Sequence, residues 1–221
     1  MVDRFEEKKL TPAVIVDLDG TLVDGNSLRI YIKCGFADCL RSWRLRDAAV
    51  EAMYLAARAL RLISHTTMKS KLLKVLRPNE LLLERFGSAV RRRINSAVSA
   101  LIERERKVGH RVLLATASPD CYIPTIWEGD FVATHFSPGE VMKECRGEEK
   151  LRRVNQWLAE NSCSMYMVVS DHSDDLPLVA GNRTGINVLV KPDRRSLSLF
   201  RKLKPAHLLL IDDVDKLGVT R

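Results

Sequence analysis

The chain has 221 residues, of which 46% are hydrophobic and 29% charged, a composition that excludes disordered, collagen-like and low-complexity proteins. Lys and Arg outnumber Asp and Glu by 36 to 28, and the net charge of +8 favours an acidic partner: nucleic acid, an anionic membrane surface or a phosphorylated small molecule. We expect neither a secretory signal nor a membrane-spanning helix, because charges interrupt every long apolar stretch. Five cysteines without a Cys-x-x-Cys pair favour a cytoplasmic protein.

Short apolar runs bounded by turn residues predict buried parallel strands. They lie at Ala13–Val16, Val112–Ala115, Phe131–Ala133, Met165–Val169, Ile186–Val190 and, with a weaker pattern, His207–Ile211. Helical patterns separate them, including Ala89–Val108 and Glu148–Glu160. This alternation predicts a fold of the α/β class, a Rossmann-like parallel sheet sandwiched by helices, with its ligand at the carboxyl ends of the strands.

A helical insertion separates the first two strands. Residues 25–86 predict an α-helical cap, and residues 1–24 and 87–221 predict the core. The cap helices are expected near Leu28–Phe36, Arg46–Ile63, Thr66–Val75 and Pro78–Phe86. The cap region holds twelve Lys and Arg against five Asp and Glu, a net charge of +7, whereas the rest of the chain has +1. Nearly all of the basic excess therefore belongs to the predicted cap.

The first strand leads into two acids and a turn. Asp17 and Asp19 point the same way, and Gly20 then permits a sharp turn before Thr21. Two adjacent acids can bind a hard cation such as Mg²⁺, or can divide the work of a nucleophile and a general acid/base. The alternative is a plain surface turn, since Asp-Gly is a common turn dipeptide.

Polar residues also follow later strands. Thr116 and Ala117 precede a predicted helix entry, where a hydroxyl and backbone N–H groups form either an anion-binding nest or a plain helix cap. Lys150 near a helix start opposes the helix dipole, which suits a task such as neutralising a phosphate, or else it is a solvated charge. The fourth strand ends in an acidic loop that contains Asp171, Asp174 and Asp175. A divalent cation would relieve their repulsion, unless the loop only caps the next helix.

Taken in order, these motifs resemble those of the haloacid dehalogenase-like hydrolase superfamily: Asp-x-Asp-Gly-Thr, a Ser or Thr after the second strand, a Lys, and an Asp-x-x-x-Asp loop. The insertion resembles that family's C1 cap. Thr-Ala-Ser-Pro and Gly-Glu-Glu-Lys resemble the subgroup that contains phosphoserine phosphatase. The resemblance implies an enzyme with the corresponding fold, a magnesium-dependent phosphatase that hydrolyses a phosphomonoester through an aspartyl-phosphate.

The resemblance also implies roles for individual residues. Asp17 would be the nucleophile and Asp19 the general acid/base. Mg²⁺ would be bound by Asp17, Asp171 and the backbone carbonyl of Asp19. The phosphate would be held by Thr116, Ala117, Lys150, Gly20 and Thr21. Asp175 and Asp174 would support the lysine or the metal shell.

Departures from the phosphoserine phosphatase pattern leave the substrate open. Asn26 stands nine residues after Asp17, where those enzymes carry a Glu, and Ala117, Ser170 and His172 replace glycines. His172 either contacts substrate or is a solvated loop residue. The alternatives are phosphoserine itself, a lipid or isoprenoid phosphate at a membrane surface, or a basic module that binds nucleic acid or protein without catalysis. Nucleic acid is the less favoured partner because four motifs indicate catalysis.

One predicted cap helix is apolar around most of its girth. Over Asp47–Ile63 its charges stand only at positions 47, 51, 58 and 61, on one narrow strip. Such a helix is usually buried in the cap core or paired with a second chain. The other hypothesis is peripheral contact with an anionic membrane, with Trp43 and neighbouring arginines at the lipid interface.

Overall fold

The computed structural model describes residues 10–137, 140 and 142–211 of the chain. The outer ends of the predicted core, residues 1–9 and 212–221, lie outside the described residues.

A parallel sheet of six strands forms the centre of the fold and confirms the predicted α/β class. Its strands are β1 Thr11–Val16, β2 Arg111–Pro119, β3 Phe131–Thr134, β4 Cys163–Ser170, β5 Ile186–Leu189 and β6 His207–Leu210, in the spatial order β3-β2-β1-β4-β5-β6. Each predicted strand forms, including the weakly patterned β6. The apolar run of β1 is continuous because Val14 and Val16 join the core on one face while Ala13 and Ile15 join it on the other.

Eight α-helices connect the described strands. Four lie in the region of the predicted cap: α1 Ser27–Arg41, α2 Leu45–Ala59, α3 His65–Val75 and α4 Glu80–Arg91. The others are α5 Ser96–Lys107, α6 Glu148–Glu160, α7 Leu176–Gly181 and α8 Arg194–Lys202. The prediction that Pro78 opens the fourth cap helix is wrong, because the Asn79 side chain accepts from the Leu82 N–H and α4 begins at Glu80.

The predicted single helix over 89–108 is also wrong, because the chain breaks between α4 and α5. Ile94 forms a backbone bridge with Val23 there, and the side chain of Asn95 caps α5. The backbone N–H of Asp24 donates to the carbonyl oxygen of Arg93 at 2.8 Å. The two ends of the insertion therefore lie next to each other beside the first motif. The predicted boundary between residues 86 and 87 falls inside α4, so the insertion extends beyond it.

Helix α2 turns its apolar side outward. Leu45 and Met53 are each 54% exposed, whereas Ala48 and Glu51 are buried against the rest of the cap. The apolar residues of this helix are therefore divided: Ala48 and Tyr54 pack into the cap core, whereas Leu45 and Met53 face outward. None of the helices within the described part of the chain is both long and apolar enough to span a bilayer.

Candidate active site

The carboxyl ends of β1, β2 and β4 meet helix α3 around a cavity of about 300 Å³. This is the edge of the sheet where a parallel α/β fold binds its ligand. Eight of the residues singled out from the sequence line it: Asp17, Asp19, Thr116, Ala117, Lys150, Asp171, Asp174 and Asp175. His172 lines it as well. Motifs separated by more than a hundred residues thus meet in one place.

The buried carboxylate of Asp175 and the largely buried one of Asp17 hold a buried lysine at the base of the cavity. Lys150 Nζ lies 2.8 Å from Asp17 Oδ1 and 2.6 Å from Asp175 Oδ1. The Ser170 hydroxyl orients Asp175 by donating to its other oxygen at 2.7 Å. Burial raises the pKa of Asp17 to about 8, although Lys150 opposes this rise. Burial alone would lower the pKa of Lys150, but Asp17 and Asp175 hold it above its usual range.

The hydroxyl of Thr21 lies between two carboxylates, 3.4 Å from Asp17 Oδ2 and 3.3 Å from Asp171 Oδ1. Burial raises the pKa of Asp171 to about 6. Gly20 has a φ of 84°, and a Cβ on it would overlap the Asp171 carboxylate. Only glycine fits both conditions. Gly20 and Thr21 do not line the cavity, and both contribute to the shape of the pair of carboxylates; that they contact phosphate stays a prediction.

The carboxylate of Asp19 is oriented by two serines. The N–H of Ser27, the first residue of α1, donates to Oδ1 at 2.6 Å, and the Ser118 hydroxyl donates to Oδ2 at 2.8 Å. The hydroxyls of Ser27 and Ser118 lie 2.8 Å apart, and that of Tyr122 lies 3.2 Å from Ser27. Hydroxyl groups both donate and accept, so this buried chain can reverse its direction. Asp19 therefore has a neighbour that can adapt when the carboxyl gains a proton.

The end of β2 extends beyond its predicted limit at Ala115. The strand continues to Pro119, and a short 3₁₀ helix follows, so Thr116 lies within the strand and not before a helix entry. Its hydroxyl accepts from the Ser118 N–H at 3.0 Å. The carbonyl oxygen of Ala117 accepts from the buried Lys69 of α3 at 3.0 Å. This bond joins a predicted cap helix directly to the second motif.

Lys69 belongs to a second charged group, on the cap side of the cavity. Its Nζ lies 2.9 Å from Glu144 Oε1, and His65 Nδ1 lies 3.7 Å from the same oxygen. His65 and Lys69 lower the pKa of Glu144 to about 2 against the opposing effect of burial. All three residues line the cavity. The group adds an acid and two basic side chains to the lining of the cavity.

The acidic loop places one carboxylate at the base of the cavity and another at its mouth. Whereas Asp175 reaches Lys150, Asp174 pairs with the half-exposed Arg146 at 2.6 Å. The backbone N–H of Asp174 donates to Nδ1 of His172 at 3.2 Å. Asp174 and His172 thus belong to the rim of the cavity.

The residues at the base fit a magnesium ion by their chemistry. Asp17 and Asp171 are carboxylates with raised pKa values on either side of one hydroxyl, so a nearby cation would stabilise their ionised forms. In the described part of the chain, no three side chains of His, Cys, Asp or Glu are grouped to hold a metal. A cation here would take the two carboxylates and the Asp19 carbonyl, with water or substrate phosphate completing the oxygen shell that Mg²⁺ prefers.

Sequence reasoning missed the groups that surround these motifs. Ser27, Lys69 and Glu144 come from the insertion and from the loop after β3, and no motif announces them. The one available signal was the neighbour of Thr116, since Ser118 stands two residues further along the same strand. Asn26, the position noted from the sequence, uses its side chain to cap α1 by accepting from the Arg29 N–H at 3.0 Å.

The sequence matches the haloacid dehalogenase-like hydrolases over residues 14–180, so the chain belongs to that family and is an enzyme of the hydrolase class. No curated protein sequence matches it. A solved structure of a protein of unknown function from Bordetella pertussis Tohama I is similar, with a TM-score of 0.68, 17% identity, and coverage of 91% of this chain and 99% of that chain.

Phosphoserine phosphatase structures are similar as well. A substrate-bound complex has a TM-score of 0.57 and 14% identity, covering 95% of this chain and 99% of that chain. A phospho-aspartyl intermediate analogue has a TM-score of 0.55 and 11% identity, covering 92% and 94%. At these identities the likeness is one of fold.

Proposed function

We propose that this hydrolase is a magnesium-dependent phosphatase that cleaves a phosphomonoester of a small molecule through an aspartyl-phosphate on Asp17. The observation that carries the proposal is the meeting of Asp17, Asp19 and Lys150 in one cavity at the carboxyl ends of the strands. Phosphoryl transfer depends on charge neutralisation and in-line placement, which this arrangement supplies.

In the first step, a carboxylate oxygen of Asp17 forms a bond to phosphorus while the bond between phosphorus and the leaving oxygen breaks. Asp19 gives its proton to that oxygen, so the product leaves as an alcohol. In the second step, water attacks the aspartyl-phosphate, Asp19 takes up a proton, and inorganic phosphate leaves Asp17 as a carboxylate again. Lys150, already 2.8 Å from Asp17, is placed to stabilise the negative charge of the transferring group.

Asp19 needs a proton for the first step, and its serine neighbours explain how it can hold one. The Ser118 hydroxyl donates to Asp19 Oδ2 at 2.8 Å. When Asp19 is protonated, the Ser118 hydroxyl can accept instead and donate to Ser27, 2.8 Å away. The same two serines therefore position Asp19 in both protonation states.

Mg²⁺ held by Asp17, Asp171 and the Asp19 carbonyl would screen the repulsion between the nucleophilic carboxylate and the phosphate. The residues of this chain keep the two carboxylates together for that purpose. Thr21 hydrogen-bonds between them, and Gly20 leaves room for the second.

The group around Lys69 is positioned to select the substrate. Lys69 and His65 of α3 and Glu144 line the same cavity as Asp17, so we expect them to contact the leaving group of the substrate. The buried Lys69 and the partly buried Glu144 favour a leaving group that carries polar atoms next to the phosphate. Asn26 carries an amide in place of a carboxylate, and that amide caps α1. The amino group of phosphoserine would therefore find no acid at this position.

A phosphatase assay with a generic aryl phosphate and Mg²⁺ tests the proposed chemistry. Asp17→Asn removes the nucleophile and should abolish turnover, because the amide cannot form the acyl-phosphate. Asp24→Asn is the matched control, since its half-exposed side chain pairs with Lys191 at 3.2 Å and does not line the cavity; it should keep normal turnover. Full activity of Asp17→Asn would contradict the mechanism. A screen of phosphoserine, sugar phosphates, nucleotides and lipid phosphates would then identify the substrate class.

A further inference from the structure

Helix α2 exposes apolar side chains to solvent and buries a carboxyl group. The residues at positions 45, 49, 53, 56 and 60, spaced by three or four, share one side of the helix and are all exposed: Leu45, Ala49, Met53, Ala56 and Leu60. We call these five residues the apolar face of α2. The opposite side, which packs on the cap, carries the buried Glu51. A water-soluble surface helix normally shows the reverse distribution.

Basic and aromatic residues frame the apolar face. Trp43, in the turn that precedes α2, is 82% exposed and adopts a φ of 54°, a conformation uncommon for a large side chain. Arg41, Arg46 and Arg61 are exposed near the two ends of the face. The acids of α2 do not offset these charges, because Asp47 already pairs with Arg44 at 3.1 Å and Glu51 is buried.

We propose that the apolar face of α2 docks on an anionic lipid bilayer, with Trp43 and the neighbouring arginines at the headgroups. An exposed apolar face with a basic border is the combination that binds an anionic membrane surface. Charge favours this occupant over a second copy of the chain. Two copies packed through this face would bring arginine borders together inside a region of net charge +7.

Docking in this way would place the bilayer beside the cap wall of the active site. The exposed chain continues from Leu60 to Leu62, which is 74% exposed, and helix α3 begins at His65. His65 and Lys69 of that helix line the cavity. If the proposed phosphatase activity holds, the natural substrate would be a phosphomonoester anchored in the membrane; this last step rests on the proposed function, whereas the docking does not.

Co-sedimentation with vesicles tests the docking directly. The full chain should bind vesicles that contain phosphatidylglycerol at low salt, bind less at high salt, and show little binding to pure phosphatidylcholine. Met53→Gln combined with Leu60→Gln should lower binding by about tenfold or more, because both side chains are exposed parts of the face. Val108→Gln is the matched control: this residue is 62% exposed but follows α5, away from the face, and the change should leave binding unaltered.

Brominated lipids locate the contact. Trp43 is exposed whereas Trp127 and Trp157 are each 8% exposed, so quenching by bilayer-borne bromine should come from Trp43 and disappear in Trp43→Phe. Absence of binding to phosphatidylglycerol vesicles at low salt would overturn the proposal. A dimer in solution would also overturn it if the double variant Met53→Gln with Leu60→Gln dissociated that dimer. The apolar face of α2 would then be the contact with a second copy of the chain. Turnover of a soluble aryl phosphate by the same variants reports separately on the proposed chemistry.

Discussion

Replacement of Glu51 by Gln tests the inward side of helix α2, where this carboxyl group is fully buried. Neither of its oxygens has a hydrogen-bond partner among the residues that the structure describes. Burial raises its pKa from 4.5 to about 7. Burial also raises the pKa of the neighbouring Cys39 thiol, so that side chain adds no negative charge beside Glu51. Gln has the shape of the protonated acid, so the substitution removes the titration with little change of volume.

The size of the effect follows from the two pKa values. As the pH rises past 4.5, the unfolded chain loses the Glu51 proton while the folded protein retains it up to about pH 7, so this carboxyl lowers stability over that window. Each pH unit of the window contributes about 1.4 kcal/mol, which amounts to about 3 kcal/mol in total. Between pH 5 and pH 8, wild type should therefore lose about 2 to 3 kcal/mol relative to Glu51→Gln.

Urea unfolding of both proteins at pH 5, 6, 7 and 8 measures this difference. Taking the change with pH cancels any constant cost of burying the Gln amide. Glu103→Gln serves as the control, because its side chain is 58% exposed and should show no such dependence on pH. A difference between wild type and Glu51→Gln that stays constant from pH 5 to pH 8 would refute the reasoning.

Three further predictions concern the active site. Gly20→Ala should lower turnover of an aryl phosphate by about a hundredfold or more, because the new methyl group would displace the Asp171 carboxylate. Lys69→Met should lower kcat/KM for the natural substrate by about tenfold or more, because the cavity loses a buried cation. Chelation of divalent cations with EDTA should abolish turnover, and added Mg²⁺ should restore it.

Matched variants separate these effects from general damage. Gly109→Ala is the control for Gly20→Ala, since Gly109 has a φ of 87° but nothing within 4 Å of an added Cβ; it should cost some stability and no activity. Lys71→Met is the control for Lys69→Met, because Lys71 is exposed on the same helix. Equal losses in a variant and its control, or full turnover in EDTA, would contradict the corresponding prediction.

The sheet and the base of the candidate site could be predicted because their signals are local. Each strand is a short apolar run, and a buried parallel strand needs no partner information to be visible in sequence. Asp17 and Asp19 follow β1 directly, and Asp171 follows β4, so the carboxyl ends of neighbouring strands brought them together. Because ligands of parallel sheets bind at the carboxyl ends of the strands, the positions of these residues in the sequence were enough to predict where the site lies.

Other features could not be predicted because they depend on contacts between distant segments. Nothing in the helical pattern over 89–108 indicates that Ile94 bridges Val23 and interrupts the helix. Periodicity shows that α2 has an apolar side but not which way that side faces, and it faces out. Lys69 was one basic residue among 36 until the fold placed its Nζ 3.0 Å from the carbonyl oxygen of Ala117.

The hydrogen bond between Asp24 and Arg93 makes residues 25–92 a cassette with a closed base. Because the two ends already touch, exchanging the cassette for one of another length would leave β1 and β2 in place, and doubling the loop length would add only about 0.6 kcal/mol of closure entropy. A transplanted cassette would replace His65 and Lys69, and also Ser27, whose N–H donates to Asp19, while Asp17, Lys150 and Asp171 stayed in the acceptor. The cap side and the base of the cavity are therefore carried by different parts of the chain, and a new cassette would leave the base intact only if it supplied an equivalent of Ser27.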